Sequence, residues 1–398
     1  MLLKKQQLNL WFLGLLFYPL LFFTVKLSDF DISFFKIIAI IVASFYIINQ
    51  ILSKKIVLSK ILIVFIFLTI FSLIVNEISP RLLLNIVSYF LLIYFAICGN
   101  SILKNSSSEE ILKCFKKVIN IWYVFLFLGF LQLLLSYYGI DLAWESIGEP
   151  SPENKGYLFG TYILRPASFY GEPRDLSAFV ILIYTLHTFI YKNENINFIT
   201  LVIFLALGIA TQSSTFFMVM FFYLLVIFRA SFFKILFAII ILIIALYYLF
   251  PLLKSIIPRL YFVEEFNINM LNTPLFAEQA GDLSFIFYVL NSDMLQFLFG
   301  NGIGTSSSVI SSFTNEYMWT KSDYTFINSR WLFYTWLIDF GFLALLVFTY
   351  FINKHLPINE KLKTLSLFSI GTSLFTGSFI FVYIIIIFKY INYETSIK

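Results

Sequence analysis

Arg165-Pro166-Ala167-Ser168-Phe169-Tyr170-Gly171-Glu172-Pro173-Arg174-Asp175 sets two arginines and two carboxylates within eleven residues of a chain that is otherwise largely apolar. One long apolar run ends near residue 140, and another begins near 176. Pro173 has the fixed φ that suits the first position of a helix. A span therefore opens at Pro173 and leaves Glu172 at its N-terminus, where the macrodipole favours a carboxylate or a phosphate. The stretch reads either as a helix boundary with interfacial charges or as a site. Two features argue for a site: its cations are Arg, and they lie on the side where positive charge is sparse.

Composition sets the class. The 398 residues are 60% hydrophobic, 20% aromatic and 12% charged, with a mean hydropathy of +0.90. A soluble domain carries about 25% charged residues. The chain reads as one integral membrane domain over 1–398, an all-α bundle of transmembrane helices. The net charge of +5 is then a matter of topology loop by loop, and no nucleic acid is implied as a partner. Cys98 and Cys114 flank one short loop and form no disulfide framework. With only His187 and His355, a His-rich metal site is excluded by counting. At the N-terminus Lys4 and Lys5 precede an apolar run, but no small-x-small cleavage site follows, so the run reads as a retained first span.

A bilayer core of ~30 Å takes roughly 20 apolar residues as helix. Candidate spans are 8–25, 34–52, 56–75, 82–98, 118–140, 175–191, 196–211, 215–228, 233–250, 330–352 and 365–388. That makes about eleven, with a range of about ten to twelve because the pair around Gln212-Ser213-Ser214 reads as a hairpin or as one broken element. Most lysines (Lys4, Lys5, Lys54, Lys55, Lys60, Lys104, Lys113, Lys116, Lys117, Lys192, Lys234, Lys354, Lys361 and Lys363) fall on one side, which the positive-inside rule makes cytoplasmic. The N-terminus lies there. The opposite side receives the C-terminus, several short turns and two large loops, 141–174 and 251–329. The expected architecture is a bundle whose two large extracytoplasmic loops carry short interfacial helices. In the second loop, 283–299 is rich in Phe, Leu and Tyr but broken by Asn291-Ser292-Asp293. It reads as an amphipathic or re-entrant helix at the outer interface, either guiding a lipid or packing as a lid. No internal repeat stands out, which weakens a transporter built on inverted repeats.

Arginine behaves differently from lysine. Of Arg81, Arg165, Arg174, Arg229, Arg259 and Arg330, all but Arg229 fall on or beside the external face. A guanidinium offers a planar fork suited to phosphate, whereas Lys is a point charge. These arginines bind an external anion, most simply a lipid-linked phosphate, or they pair with carboxylates and headgroups. Phe299-Gly300-Asn301-Gly302-Ile303-Gly304 has three alternate glycines but lacks the βαβ context of a dinucleotide fingerprint, so it reads as a flexible turn. Asp339 sits inside a span just before Gly341. An ionisable residue there is a functional candidate, as the partner of an arginine or as a satisfied structural carboxylate. His187 reads as structural. The two large external loops hold no Asp-x-Asp metal motif, and neither a Walker motif nor a serine-hydrolase elbow is present.

Taken together, these residues resemble the bacterial O-antigen polymerases of the Wzy type, in the wider family that also holds the O-antigen ligases. In that family an Arg is followed by a Gly-Glu-Pro or Gly-Asn-Pro turn that opens a span, here Arg165 with Gly171, Glu172 and Pro173. A larger external loop ends in a Gly-x-Gly-x-Gly turn and runs into a span with an acidic residue and Gly, here Gly300, Gly302, Gly304, Asp339 and Gly341. Thr211-Gln212-Ser213 is similar to a further family turn. The chain departs from the ligases, which carry a His late in the second loop where this sequence has Asn328-Ser329-Arg330. It departs from the polymerases where an Arg is expected near the middle of that loop and Gly281-Asp282-Leu283 stands instead, with Arg259 as a substitute.

The resemblance implies a metal-independent membrane glycosyltransferase at the outer leaflet of the bacterial cytoplasmic (inner) membrane. Its substrates, donor and acceptor alike, are oligosaccharides on undecaprenyl diphosphate, joined into O-antigen or a related surface polysaccharide of lipopolysaccharide biosynthesis. Arg165, Arg259, Arg330 and Arg174 hold the diphosphate, with Arg165 and Glu172 as catalytic groups and Glu172 as proton acceptor. Gly171, Pro173, Gly300, Gly302, Gly304 and Asp339 support the site. No cofactor is implied, and a chain-length regulator protein and the lipid bilayer are the further partners. The alternatives are a polysaccharide flippase or transporter, against which the concentration of charge in two loops speaks, and an O-antigen ligase.

Overall fold

Ser107 takes extended backbone angles and its Oγ accepts the Glu110 N–H at 3.3 Å, which starts α5 (Ser108–Tyr137) with one of its orphan donors satisfied. Glu109 and Glu110 in the first turn complement the macrodipole. At 1.5 Å per residue, the 30 residues of α5 run about 45 Å, longer than a bilayer core. The computed structural model describes residues 2–18, 24–27, 30–53, 60–76, 80–141, 155–158, 161–166, 173–190, 198–211, 216, 288–289, 292–306, 309, 332–355 and 377–395.

Helix dominates these residues. Before α5 come α1 (Leu2–Phe17), α2 (Phe34–Leu52), α3 (Lys60–Val75) and α4 (Pro80–Lys104). After it come α6 (Pro173–Ile190), α7 (Phe198–Ala210), α8 (Met294–Phe299), α9 (Leu332–His355) and α10 (Gly377–Thr395). Three described helices, 34–52, 85–104 and 108–137, are long and apolar enough to cross a membrane by length and composition. Large apolar side chains such as Leu52, Phe67 and Val87 are exposed on α2, α3 and α4, as in a bundle that meets lipid. These features are compatible with a membrane protein. Of the expected spans, 233–250 and all but Phe216 of 215–228 lie outside the described residues.

An aromatic cluster ties four helices together. Trp11 of α1 stacks on Phe95 of α4 and meets Tyr383 of α10 edge-on, while Phe35 of α2 meets both Phe95 and Tyr383. The Trp11 Nε1–H donates to the Phe95 carbonyl at 3.1 Å. In lipid there is no hydrophobic force between helices, so close packing and such hydrogen bonds hold a bundle together.

The structure differs from the sequence expectation at three places. The first apolar run, expected to span 8–25, forms a helix only over Leu2–Phe17. Pro19 disfavours helical backbone at the residue before it, and Thr24–Leu27 (β1) pairs with Phe30–Ser33 (β2) as an antiparallel hairpin. The bundle is therefore not purely α. A second hairpin, Lys155–Leu158 (β3) with Thr161–Leu164 (β4), occupies part of the first large loop. Leu158 pairs with Thr161, with Phe159 and Gly160 between them in the sequence. In the second loop, 288–289 and Met294–Phe299 of the helix expected over 283–299 are among the described residues and are helical, and the Gln296 side chain accepts the Asp293 N–H at 3.2 Å. The polar triplet that looked like a mere break thus supplies the helix start.

The third difference concerns direction. The Tyr383 hydroxyl donates to the Leu92 carbonyl, and the Lys389 and Tyr390 side chains reach Asn100. α10 thus runs parallel to α4, whose last residue, Lys104, is followed by a short link into α5. Phe12 and Phe388 both meet Phe115 near the start of α5. The beginning of α1 and the end of α10 share that end of the bundle, here the lower end. The expectation put the two termini on opposite sides, whereas the contacts of α10 (Gly377–Thr395) bring its end to the same side as the start of α1; of the span expected over 365–388, residues 365–376 lie outside the described residues.

Candidate functional site

The upper end of the bundle, opposite the termini, carries two polar constructions. The first is built on the glycine turn. α3, with the residue that follows it, and α4 place four polar side chains there in two pairs spaced i, i+4, namely Ser72 with Asn76 and Asn85 with Tyr89. That spacing keeps each pair on one helix face. The Ser72 hydroxyl donates to the Ile303 carbonyl (3.1 Å), Asn76 Nδ2 to that of Asn301 (2.9 Å) and Asn85 Nδ2 to that of Gly304 (3.1 Å). Three carbonyls of the turn, those of Asn301, Ile303 and Gly304, are thus bound by side chains at the ends of two helices.

The other side of the turn is bound by α9. The Asn301 and Gly302 N–H groups donate to the Ile338 and Asp339 carbonyls at 2.8 and 3.1 Å. Asp339, 2% exposed, accepts the Ser306 N–H at Oδ1 and the Tyr89 hydroxyl at Oδ2, both at 2.7 Å. The Thr305 hydroxyl donates to the Gly302 carbonyl at 2.8 Å, with Asp339 Oδ1 at 3.4 Å. Helical geometry breaks at Gly341, whose φ is 80°. The break exposes the backbone that the turn occupies. Below the turn, Asn301 Nδ2 donates to the Tyr288 hydroxyl at 2.8 Å, and burial pushes the Tyr288 pKa up, keeping it a donor to the Gln296 carbonyl (3.3 Å).

This arrangement is a latch. Tyr89, Ser306 and Thr305 occupy the oxygens of Asp339, and a proton placed there would give up hydrogen bonds that hold the turn. The expected flexible turn is instead a fixed backbone surface. Of the two readings of Asp339, partner of an arginine or satisfied carboxylate, these contacts describe the second.

The second construction holds Arg165. β4 lies against the end of α5. The Leu164 N–H donates to Ser136 Oγ at 2.6 Å, and that hydroxyl donates to Asp141 Oδ1 at 2.7 Å. Arg165 follows immediately and is 8% exposed. Among the described residues, Arg165 and Asp339 are the charged side chains that are buried. Taking a guanidinium out of water costs several kcal/mol unless anions and hydrogen bonds offset it.

Pro173 opens α6 and Arg174 lies in its first turn, as the fixed φ of Pro173 predicted. Gly171, Glu172, Arg259 and Arg330 lie outside the described residues, as do Gln212 and Ser213. His187 sits on α6 against the Tyr123 hydroxyl, far along the helix from Pro173. Among the described residues, no three His, Cys, Asp or Glu side chains gather as metal ligands. Sequence reasoning passed over Ser72, Asn76, Asn85, Tyr89 and Ser136. The signal was present: polar side chains four residues apart on apolar helices, facing inward as intramembrane polar groups do.

No family model matches the chain, and no curated protein or solved structure matches it.

Proposed function

We propose that the chain is a membrane glycosyltransferase that polymerises lipid-linked oligosaccharide repeats at the outer face of the bacterial cytoplasmic membrane, as the O-antigen polymerases do. The observation that carries the reading is Arg165. It is a buried guanidinium on the loop that leads, eight residues later, into α6 at Pro173. A guanidinium suits a diphosphate better than a neutral sugar, because its fork matches phosphate oxygens. The latched turn gives the same end of the bundle a rigid second wall.

In this reading the donor is a growing saccharide on undecaprenyl diphosphate, and the acceptor is one more lipid-linked unit. A hydroxyl oxygen of the acceptor bonds to the donor's anomeric carbon while the bond from that carbon to the diphosphate oxygen breaks. Glu172 takes the hydroxyl proton, and undecaprenyl diphosphate leaves with both electrons of the broken bond. Arg165, Arg259 and Arg330, with Arg174 at the rim, hold the diphosphate and stabilise the charge that develops on it. Arg is suited to this because its fork grips phosphate oxygens in pairs.

The test is deletion of the gene followed by electrophoresis of the surface polysaccharide. Single-unit product is expected, with long polymer restored by the wild-type gene but not by the Arg165→Ala variant. Total loss of surface product supports a flippase instead, and unattached long polymer supports a ligase. Glu172→Gln separates its two roles. As the base, it should lower the rate by ~10²–10⁴-fold with binding intact. As a residue that only orients an arginine, it should weaken binding as well.

A further inference from the structure

We propose that Ser136, with Asp141 behind it, is the positioning residue for Arg165, setting where the guanidinium meets a lipid-linked diphosphate. The inference rests on the polymerase reading of Arg165. It starts from α5, whose inward face is apolar along most of its length but turns polar at its last turns with Gln132 and Ser136, both buried.

The helix ends in a way that serves this hydroxyl. Gly139 has a φ of 81°, the left-handed conformation that closes helices. The Gly139 N–H donates to the Ser136 carbonyl and the Ile140 N–H to the Leu135 carbonyl. The chain folds back over its own end, and Asp141 comes within 2.7 Å of Ser136 Oγ, five residues behind it. A carboxylate only accepts and a backbone N–H only donates. Ser136 therefore has one arrangement open to it: its proton goes to Asp141 and its lone pair to the Leu164 N–H at 2.6 Å. The carboxylate polarises the hydroxyl and strengthens the bond it accepts.

Leu164 is also the last paired residue of β4, opposite Lys155. Its backbone is thus fixed by the hairpin and by Ser136 Oγ, and the next residue is Arg165. Among the described residues, Arg165 is the buried cation. Fixing its Cα removes backbone freedom that a long side chain would otherwise add to its own, and small misplacements of such groups are costly.

Full-length protein in nanodiscs, titrated with undecaprenyl diphosphate, tests this, with thermal stability measured on the same samples. Ser136→Ala should weaken binding about five- to tenfold, the worth of one hydrogen bond in a positioned contact. Asp141→Asn keeps an acceptor on an exposed side chain and leaves no cavity, so it stays informative if Ser136→Ala fails to fold. It should weaken binding about threefold. An Asp141 that acted only as a nearby negative charge would give tighter anion binding when neutralised, and that result overturns the proposal. So does a Ser136→Ala variant that is less stable but binds within twofold of wild type. If those variants bind normally while Arg165→Ala does not, the polymerase reading survives and the positioning role falls. Wild-type protein that binds no diphosphate lipid overturns both.

Discussion

Gly300 and Gly341 meet backbone to backbone. A Cβ on Gly300 would lie 2.5 Å from the Asp339 carbonyl oxygen, and one on Gly341 would lie 2.3 Å from that of Leu298. Both residues also have φ near 80°. The turn and the broken helix therefore touch where neither has a side chain, and neither position has room for one.

Substitution should grade accordingly. Gly139 shares the positive φ but has open space around its missing Cβ, so Gly139→Ala should cost only the left-handed penalty of about 1–2 kcal/mol. Gly341→Ala and Gly300→Ala should each add about 1–3 kcal/mol of overpacking against backbone that cannot yield. Thermal unfolding in one detergent ranks the three. Equal losses for Gly139→Ala and Gly341→Ala would show that the close approach is not real.

The Tyr89–Asp339 contact gives a second expectation. Tyr89→Phe removes a donor from a buried carboxylate and should cost about 1–3 kcal/mol. Asp339→Asn should cost a similar amount, and the two changes should couple by about 0.5–3 kcal/mol in a double-mutant cycle, because the groups are in contact. Additive losses would mean that the hydroxyl and the carboxylate do not hold each other.

The direction of α10 makes a third. Both termini lie at the lower end of the bundle, with Lys389 beside Asn100. Lys389 and Lys398 then join the lysine-rich side, in keeping with a cytoplasmic C-terminus. In a background with Cys98 and Cys114 replaced, a cysteine added after Lys398 should resist an impermeant thiol reagent on spheroplasts until the membrane is opened. A cysteine at Ser151, in the first large loop, should react at once. Immediate labelling of the C-terminal cysteine would restore the opposite topology.

These elements also show what a single sequence reveals. Pro173 at a helix start, the pause at 291–293 and the glycine turn were all legible, because each is a local matter of φ or capping. The stop at Tyr18 was equally local and was passed over, since hydropathy ran on through Pro19. What the turn docks against was hidden for a different reason. Ser72, Asn76, Asn85 and Tyr89 each look like a tolerated polar residue in an apolar helix until their partners, more than 200 positions away, are in view. Ser136 was likewise anonymous without the hairpin that brings Leu164 to it.

Those separations order the making of the protein as well as its shape. Ser72 waits for Ile303, 231 residues on, and Tyr89 for Asp339, 250 residues on. At typical synthesis rates that is roughly 10–50 s. During that interval α3 and α4 already exist as helices, with polar side chains whose acceptors have not been translated. A nascent chain stopped before residue 300 would leave those polar side chains without the partners that the turn and α9 supply. The latch therefore closes only in a nearly complete chain.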